Sequence, residues 1–526
     1  MRFGQLELDP AVNPAVLDTG TWDPQAAWRA VAAGDQQWNK VQQAALHGRP
    51  LPAAAQAIPH GGSCVTRGSA CCMLVSLCDG QDVLVELGRI GGNLGEPIGT
   101  MTGSAGLPIS AYPASAVTLE QFLRVLQPTN GPRALGTVPR LGIGTRMTTA
   151  IWPGIFAAMD QKGFAANAVQ NSVRELNFME DLLACRPAPT NYACGFGTIE
   201  TGYTGNSWEG LMVAGTLAAL KHPRPLRWGA DADHVQVKRG AEGMARARRI
   251  LDAARHYTFY TLDMADVLDY SAAGNWPAKY DKALRALEEL TPHIESMRDG
   301  RAFDLELSID EHPPEVGAFD CLTTAAELRY VLEEIRRRGL PVTHVAPNFG
   351  QEKGWDYRCP DGLDGLQKRV AEQFAIAEDF GVLLDIHSAD DLGPGPRQAI
   401  RRATGGKVHY KVSPMLQLIY ADAVAQHAPQ LFQQWWDSTL AYARREAQAG
   451  STFAVQCLKA LDDAVDQRPS RRHMVFHHYS FAFVGRRDAD GRFLYRQMFY
   501  QLPQAFRDDV RRRISEFLCG LANDLF

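Results

Sequence analysis

Alternation of short apolar runs with long helical patterns over residues 137–526 predicts an α/β fold, a (β/α)8 TIM-like barrel, with an N-terminal α+β region at 1–130. Eight such runs occur, and most end in polar or charged residues. No G-x-G-x-x-G stands between a strand-like run and a helix, which counts against a nucleotide-binding doubly wound open sheet, the alternative fold. Residues 1–130 differ in texture. They hold Ala/Pro/Gly-rich stretches and the run "CCMLVSLCDGQDVLVELGRIGG", in which Asp-Gly between two apolar runs signals a hairpin.

The barrel runs, in order, are "RLGIGTRM" (140–147), "LRWGADADHV" (226–235), "YTFYTLDMAD" (257–266), "FDLELSIDE" (303–311), "VTHVAPNFG" (342–350), "VLLDIHSAD" (382–390), "VHYKVSP" (408–414) and "HMVFHHYSFA" (473–482). About 80 residues separate the first two. They are expected to form a helical insertion at about 150–222, including "PGIFAAMDQKGFAANAVQNSVRELNF", and a loop "ETGYTGNSWEGL" near the barrel mouth. The helices between later runs carry their own punctuation. Residues 323–339 have a Thr cap, apolar spacing, arginines in the last turn and a Gly stop, and 363–381 repeat the pattern.

The bulk numbers exclude several classes. The 526-residue chain is 45% hydrophobic and 21% charged, with a net charge of −5. Its pI near 6.3 gives no basic surface for nucleic acid. There is no apolar run of about 18 residues, so no membrane span is expected. The start "MRFGQLELDPAVNPAV" lacks a basic region followed by an apolar one, and the ten cysteines are sparse, so a cytoplasmic protein with reduced thiols is expected. Cys64, Cys71, Cys72 and Cys78 cluster without paired C-x-x-C units, which reads as buried small hydrophobes rather than a zinc site.

The strand ends carry the chemistry. In a barrel of this kind the C-terminal ends of the strands form the active face. The fourth run alternates: Leu305, Leu307 and Ile309 on one face, Asp304, Glu306, Ser308 and Asp310 on the other, with Glu311 just beyond. Several carboxylates inside one barrel need a cation or a substrate to answer them. The second run brings Asp231 and Asp233, then His234. The fifth brings His344 and Asn348, the sixth Asp385, His387 and Ser388, and the seventh His409, Lys411 and Ser413. The eighth brings His477 and His478, followed by Arg486 and Arg487. Imidazoles with carboxylates suit a divalent metal such as Zn, Mn, Ni or Co, and arginines suit a substrate carboxylate or phosphate. Each residue also has a plainer reading: a core histidine, a turn aspartate, a buried ion-pair lysine or a solvated arginine. The weight rests on their repeated placement at strand ends.

The motifs "SIDEHPPE", "APNFGQEKGWDY", "DIHSADDL" and "VHYKVSPMLQLI", in this order and spacing, resemble the tagaturonate/fructuronate epimerase family. The resemblance spans roughly 200–490. It implies a metal-dependent barrel enzyme that inverts C4 of a keto-hexuronate, or of the ketohexoses fructose and tagatose. Carried over to matching positions, it implies Glu311 as acid/base, His387 as metal ligand and Lys411 as substrate contact. Asp310 and Asp233 are alternative bases. Asp233 and His478 are candidates to complete the metal set, and Asp231, His344, Asn348, Lys353, Ser388 and Arg486 to contact the substrate. The expected partner is a small sugar or sugar acid, and a barrel of this size is compatible with a homo-oligomer.

Inverting C4 of a 2-keto sugar has no simple proton-abstraction route, because C4–H is not α to the ketone. Two routes remain: transient oxidation at C4, which needs a nicotinamide whose binding fingerprint is missing, and retro-aldol cleavage of C3–C4 with re-addition, with a metal or a lysine Schiff base as electron sink. An aldolase or a metal-dependent sugar isomerase is the alternative reading of the same residues.

Overall fold

The computed structural model describes residues 2–3, 6–7 and 23–526, except 79, 105, 145–148, 185, 194–196, 241, 273, 312–315, 318, 353–354, 388, 390 and 491–492. Eight parallel strands close into a barrel: β1 Arg140–Gly144, β2 Ala165–Ser172, β3 Trp228–Gln236, β4 Phe259–Asp263, β5 Asp304–Ser308, β6 His344–Ala346, β7 Leu383–Ile386 and β8 His409–Val412. Their order follows the chain, and β8 closes on β1 through the pairs His409–Arg140 and Lys411–Gly142. Outward residues such as Leu305, Leu307, Val345 and Leu384 pack with the surrounding helices into one apolar core.

Seven of the eight strands were legible, and the eighth was misplaced. The run 473–482 is not a strand. It forms the helix Met474–Tyr479 and a 3-10 turn at Ser480–Ala482. Its aromatics favour a strand by propensity, but Phe476 is drawn onto Phe432, Trp435 and Trp436 of a long neighbouring helix. The missing strand is Ala165–Ser172, which lies inside the expected helical insertion. Its sequence, AANAVQNS, has one β-branched aliphatic residue, so burial on both sides rather than propensity makes it a strand. The long excursion therefore follows the second strand, not the first.

Helix punctuation is as read at 323–339, whereas Gly362–Phe380 keeps only the Gly381 stop, with no side-chain N-cap and no basic residue in its last turn. Thr324 and Glu327 form a capping box on helix Ala325–Arg338, and Gly339 ends it at φ 67°. The Asp-Gly hairpin is also present, pairing Ala70–Leu77 with Asp82–Leu87 in a six-stranded antiparallel N-terminal sheet. Cys71 and Cys72 point to opposite faces of that sheet and lie in two different apolar clusters. The second cluster joins Leu74, Leu84 and Phe122 to Val213 and Leu220 of the helix Trp208–Lys221, which seats the sheet on the barrel. Among the described residues, no helix is long and apolar enough to cross a membrane.

A polar cluster lies at this seam. Lys221 Nζ pairs with Asp82 at 2.7 Å, and His60 Nε2 lies 2.7 Å from Ser76 Oγ, which donates to Asp82. Burial, then the Lys221 charge, lowers the His60 pKa to about 4. The neutral ring is therefore the folded form. Its contribution is present above the unfolded value near 6.5 and is lost as pH falls towards 4. Chemical unfolding at pH 7 and pH 4.5 checks this: the drop in stability is expected to be smaller in His60→Asn than in the parent chain.

Candidate active site

The inward faces of the strands are polar almost throughout, and they stack in layers. At the bottom, Arg140 of β1 donates to Asp304 of β5 at 3.0 Å, and the backbone amides of Leu135 and Gly136 donate to the same carboxylate. Above them, His409 Nδ1 lies 2.7 Å from Asp385 Oδ2. The rings of His344 and His409 meet edge-on, each also against Phe259. Burial, reinforced by the charges of Arg140 and Lys411, holds both imidazoles well below their ordinary pKa, so they are neutral. Strand β1 leaves room for this crowd. A Cβ on Gly142 would collide with Gln170, His409 and Lys411, and one on Gly144 with Ser413.

The middle layer is built on Lys411. Its ammonium lies 3.0 Å from Asp231, 2.9 Å from Asp233 and 2.6 Å from Glu306, and it donates to Thr261 Oγ1 at 2.8 Å. Thr261 in turn bridges Asp231 and Glu306. Burial opposes the charge on Lys411, but Asp231, Asp233 and Glu306 overcome it and raise its pKa well above normal. Lys411 is therefore an ammonium, not a nucleophilic amine. The carboxylates divide: burial lifts Asp231 to about 7, whereas Lys411 and His387 hold Glu306 well below the usual range against its burial. Burial, then the adjacent Glu306 charge, pushes Asp385 well above it.

The upper layer is the rim. His387, one residue past β7, has Nε2 2.6 Å from Glu306 Oε1 and Nδ1 3.2 Å from Asp310 Oδ1. Ser308 donates to Asp310 at 2.7 Å. Burial opposes the His387 charge, but Asp310 and Glu306 raise its pKa to about 10. His234 sits beside it, ring centroids 5.1 Å apart. It has a positive φ of 48° at a register shift between Ala232 and Val235. That strained bulge turns His234 to the same side as Asp233, where it lies 3.3 Å from Asp263 and 3.9 Å from Glu311. Asp233, Glu311 and Asp263 outweigh burial and raise its pKa to about 9. Glu311 is thus joined to His387 through His234, at one end of the barrel.

A divalent ion fits this chemistry. Glu306, Asp385 and His387 offer ligand atoms that lie within 4.8 Å of one another. Glu306 Oε1, Asp385 Oδ1 and both ring nitrogens of His387 are buried and make no hydrogen bond of regular geometry, although His387 Nε2 lies 2.6 Å from Glu306 Oε1. An ion there would replace the protons that burial and the neighbouring charges now hold on Asp385 and His387. His234, Asp263 and Glu311 form a second compatible set at the rim, and His344, Asp385 and His409 a third below.

The sequence-picked residues divide in space. Asp231, Asp233, Asp310, Glu311, His344, His387 and Lys411 converge in the barrel. Asp233 serves Lys411 rather than the Glu306–Asp385–His387 set. His478 belongs to the misassigned strand. It sits on a helix, edge-on to Phe453 and stacked on His477, in none of the metal-compatible sets found among the described residues. Asn348 spends its side chain on its own turn, accepting from Gly350 N and donating to Cys321 Sγ. Arg486 turns to Ser438, whereas Arg487 reaches Asn177 and the Arg186 carbonyl. Lys353 and Ser388 lie outside the described residues. Arg174 was missed. It follows the unrecognised strand β2, and its Nη2 lies 3.8 Å from Glu311 Oε1. The strand-end rule would have found it had that strand been read.

A family model described as tagaturonate epimerase matches residues 275–519. The chain resembles the tagaturonate/fructuronate epimerases. A curated tagaturonate/fructuronate epimerase of Thermotoga maritima is 25% identical over 368 residues, 61% of this chain. The chain spans 66% of that relative's length. The crystal structure of the fructuronate-tagaturonate epimerase UxaE from Cohnella laeviribosi superposes with a TM-score of 0.67 at 20% identity, over 90% of this chain and 97% of that one. A glycerol complex of the same enzyme gives 0.66 at 18% identity, over 93% and 99%. At these identities the structural matches establish the shared barrel fold.

Proposed function

We propose that this chain is a metal-dependent epimerase that inverts C4 of a keto-hexuronate, interconverting tagaturonate and fructuronate. The observation that carries the reading is the placement of Glu311, His234 and His387 on one rim above a carboxylate-rich interior, in a chain that resembles those epimerases. The proposed chemistry is retro-aldol. Removal of the C4 hydroxyl proton lets the C3–C4 bond break, its electrons passing to the C2 carbonyl. This leaves an enediolate over C1–C3 and an aldehyde over C4–C6. Rotation of the aldehyde, re-addition of C3 to its other face and return of the proton to the C4 oxygen complete the inversion.

The chain's residues divide this work. Glu311, at the mouth, takes and returns the C4 hydroxyl proton. Asp310 holds His387 from one side and Glu306 from the other. Lys411 keeps Asp233 and Glu306 ionised and in place, and its triple ion pairing argues against a Schiff base. A divalent ion bound by Glu306, Asp385 and His387 would supply Lewis-acid stabilisation of charge developing on the C2 and C3 oxygens.

Product analysis by NMR tests the reading. Tagaturonate and fructuronate should interconvert, and a chelator should stop the reaction until a divalent metal is restored. Three-carbon fragments as the main products would instead identify a lyase.

A further inference from the structure

We propose that Tyr270 is a positioning residue for Glu311, tethering the rim backbone that carries the base, and that Lys279 and Glu327 lock the tyrosine in place. The inference rests on the proton-carrying role proposed above for Glu311 and deepens it. Glu311 stands just past the end of β5, and its backbone carbonyl accepts a hydrogen bond from the Tyr270 hydroxyl at 3.2 Å. Tyr270 comes from the loop after β4, so the tether joins the ends of two neighbouring strands. A base must stay within hydrogen-bond reach of the proton it abstracts, and a misplacement of about 1 Å can cost about 10²-fold in rate.

The tyrosine is itself held from two directions. Its loop is pinned where Asp269 Oδ1 accepts from the amide and hydroxyl of Ser271 at 3.0 and 2.6 Å, and where the Asp269 amide donates to the Lys279 carbonyl at 3.1 Å. Tyr270 borders a cavity of about 900 Å³, lined also by Val267, Leu268 and Val316, so packing alone does not fix the ring. A cation does the rest. Lys279 Nζ, on the helix Trp276–Arg298, lies 5.1 Å from the Tyr270 ring centroid and 5.2 Å from that of Tyr280. It also donates to Glu327 Oε1 at 2.7 Å. Glu327 belongs to the capping box of the helix Ala325–Arg338, and its Oε2 accepts from the amide and hydroxyl of Thr324, each at 2.9 Å. A path of direct contacts thus runs from a helix start through Glu327, Lys279 and Tyr270 to the base. Burial raises the Tyr270 pKa and nearby acidic groups add to it, so the hydroxyl remains a donor.

Steady-state kinetics on the full chain tests the tether. Tyr270→Phe should lower kcat for the hexuronate roughly 5–50-fold, with the unfolding midpoint nearly unchanged. KM should stay within about threefold, since the base and not the binding contacts is displaced. Lys279→Met should lower kcat by a similar factor. Lys279→Arg, which keeps a cation over the ring and a partner for Glu327, should regain most of that loss. Tyr270→Phe combined with Lys279→Met should cost no more than the larger single change, because both break one tether. Hydrogen exchange gives a readout independent of turnover: residues 303–311 should exchange faster in Tyr270→Phe, with the other barrel strands unchanged. A kcat loss of less than about fivefold in Tyr270→Phe, additive losses in the double variant, no rescue by arginine, or unchanged exchange would each overturn the proposal. Faster exchange at 303–311 in a chain that epimerises no hexuronate would leave the tether standing and reject the function instead.

Discussion

Lys411→Met should destabilise the folded chain by about 3–5 kcal/mol and abolish turnover, because it strips the cation shared by three buried carboxylates. The methionine matches the lysine stem in size, so packing is nearly conserved and the loss is electrostatic. Asp231, Asp233 and Glu306 would face one another, with Thr261 still bridging Asp231 and Glu306. Burial already lifts Asp231 to about 7 with the ammonium present. Without it, a further carboxyl must take up a proton to fold, so the variant should recover more stability as pH falls than the parent, in which Asp231 already contributes such a gain. Denaturant midpoints at pH 7 and pH 5 report both effects. Adding Glu306→Gln should restore part of the loss, and a double-mutant cycle would measure the coupling. A Lys411→Met chain as stable as the parent at pH 7 would show that the carboxylates are not held ionised by this lysine.

That prediction depends on side-chain convergence that local sequence only partly discloses. Alternation in "FDLELSIDE" was enough to send Asp304, Glu306 and Ser308 inward, because a period of two fixes the face once the strand is known. The same rule placed Asp231, Asp233, His409 and Lys411. It failed where the period breaks. His234 would point away from Asp233 on a regular strand, and only the bulge after Ala232 brings it to the rim. It failed again where composition gives no cue. AANAVQNS reads as helix or loop, yet its small and amide side chains suit a strand packed inside a crowded ring, and Arg174 was lost with it. The converse error, a strand drawn over 473–482, follows from aromatics whose partners lie on a helix about 40 residues earlier. Asn348 shows a further limit: a polar residue past a strand end can as well be holding its own turn.

Glu311→Gln should behave in the opposite way to the lysine variant, with kcat falling about 10²–10⁴-fold, the range for losing a positioned acid/base, and little change in the unfolding midpoint. Three carboxylates compete for the role. Asp233 is tied to Lys411 at 2.9 Å, and Asp310 is tied to Ser308 at 2.7 Å and to His387 at 3.2 Å. Their side chains are 13% and 12% exposed, against 23% for Glu311. Its contacts with Arg174 at 3.8 Å and His234 at 3.9 Å place it beside two cationic groups at the rim. The amide of glutamine preserves shape and hydrogen bonding but cannot accept and return a proton. Hexuronate binding should therefore persist in the variant while turnover does not. Steady-state rates set beside calorimetric affinities make the distinction. A Glu311→Gln chain that turns over within about tenfold of the parent would hand the proton to Asp310 or Asp233, and one that loses binding together with rate would make Glu311 a binding group rather than the base.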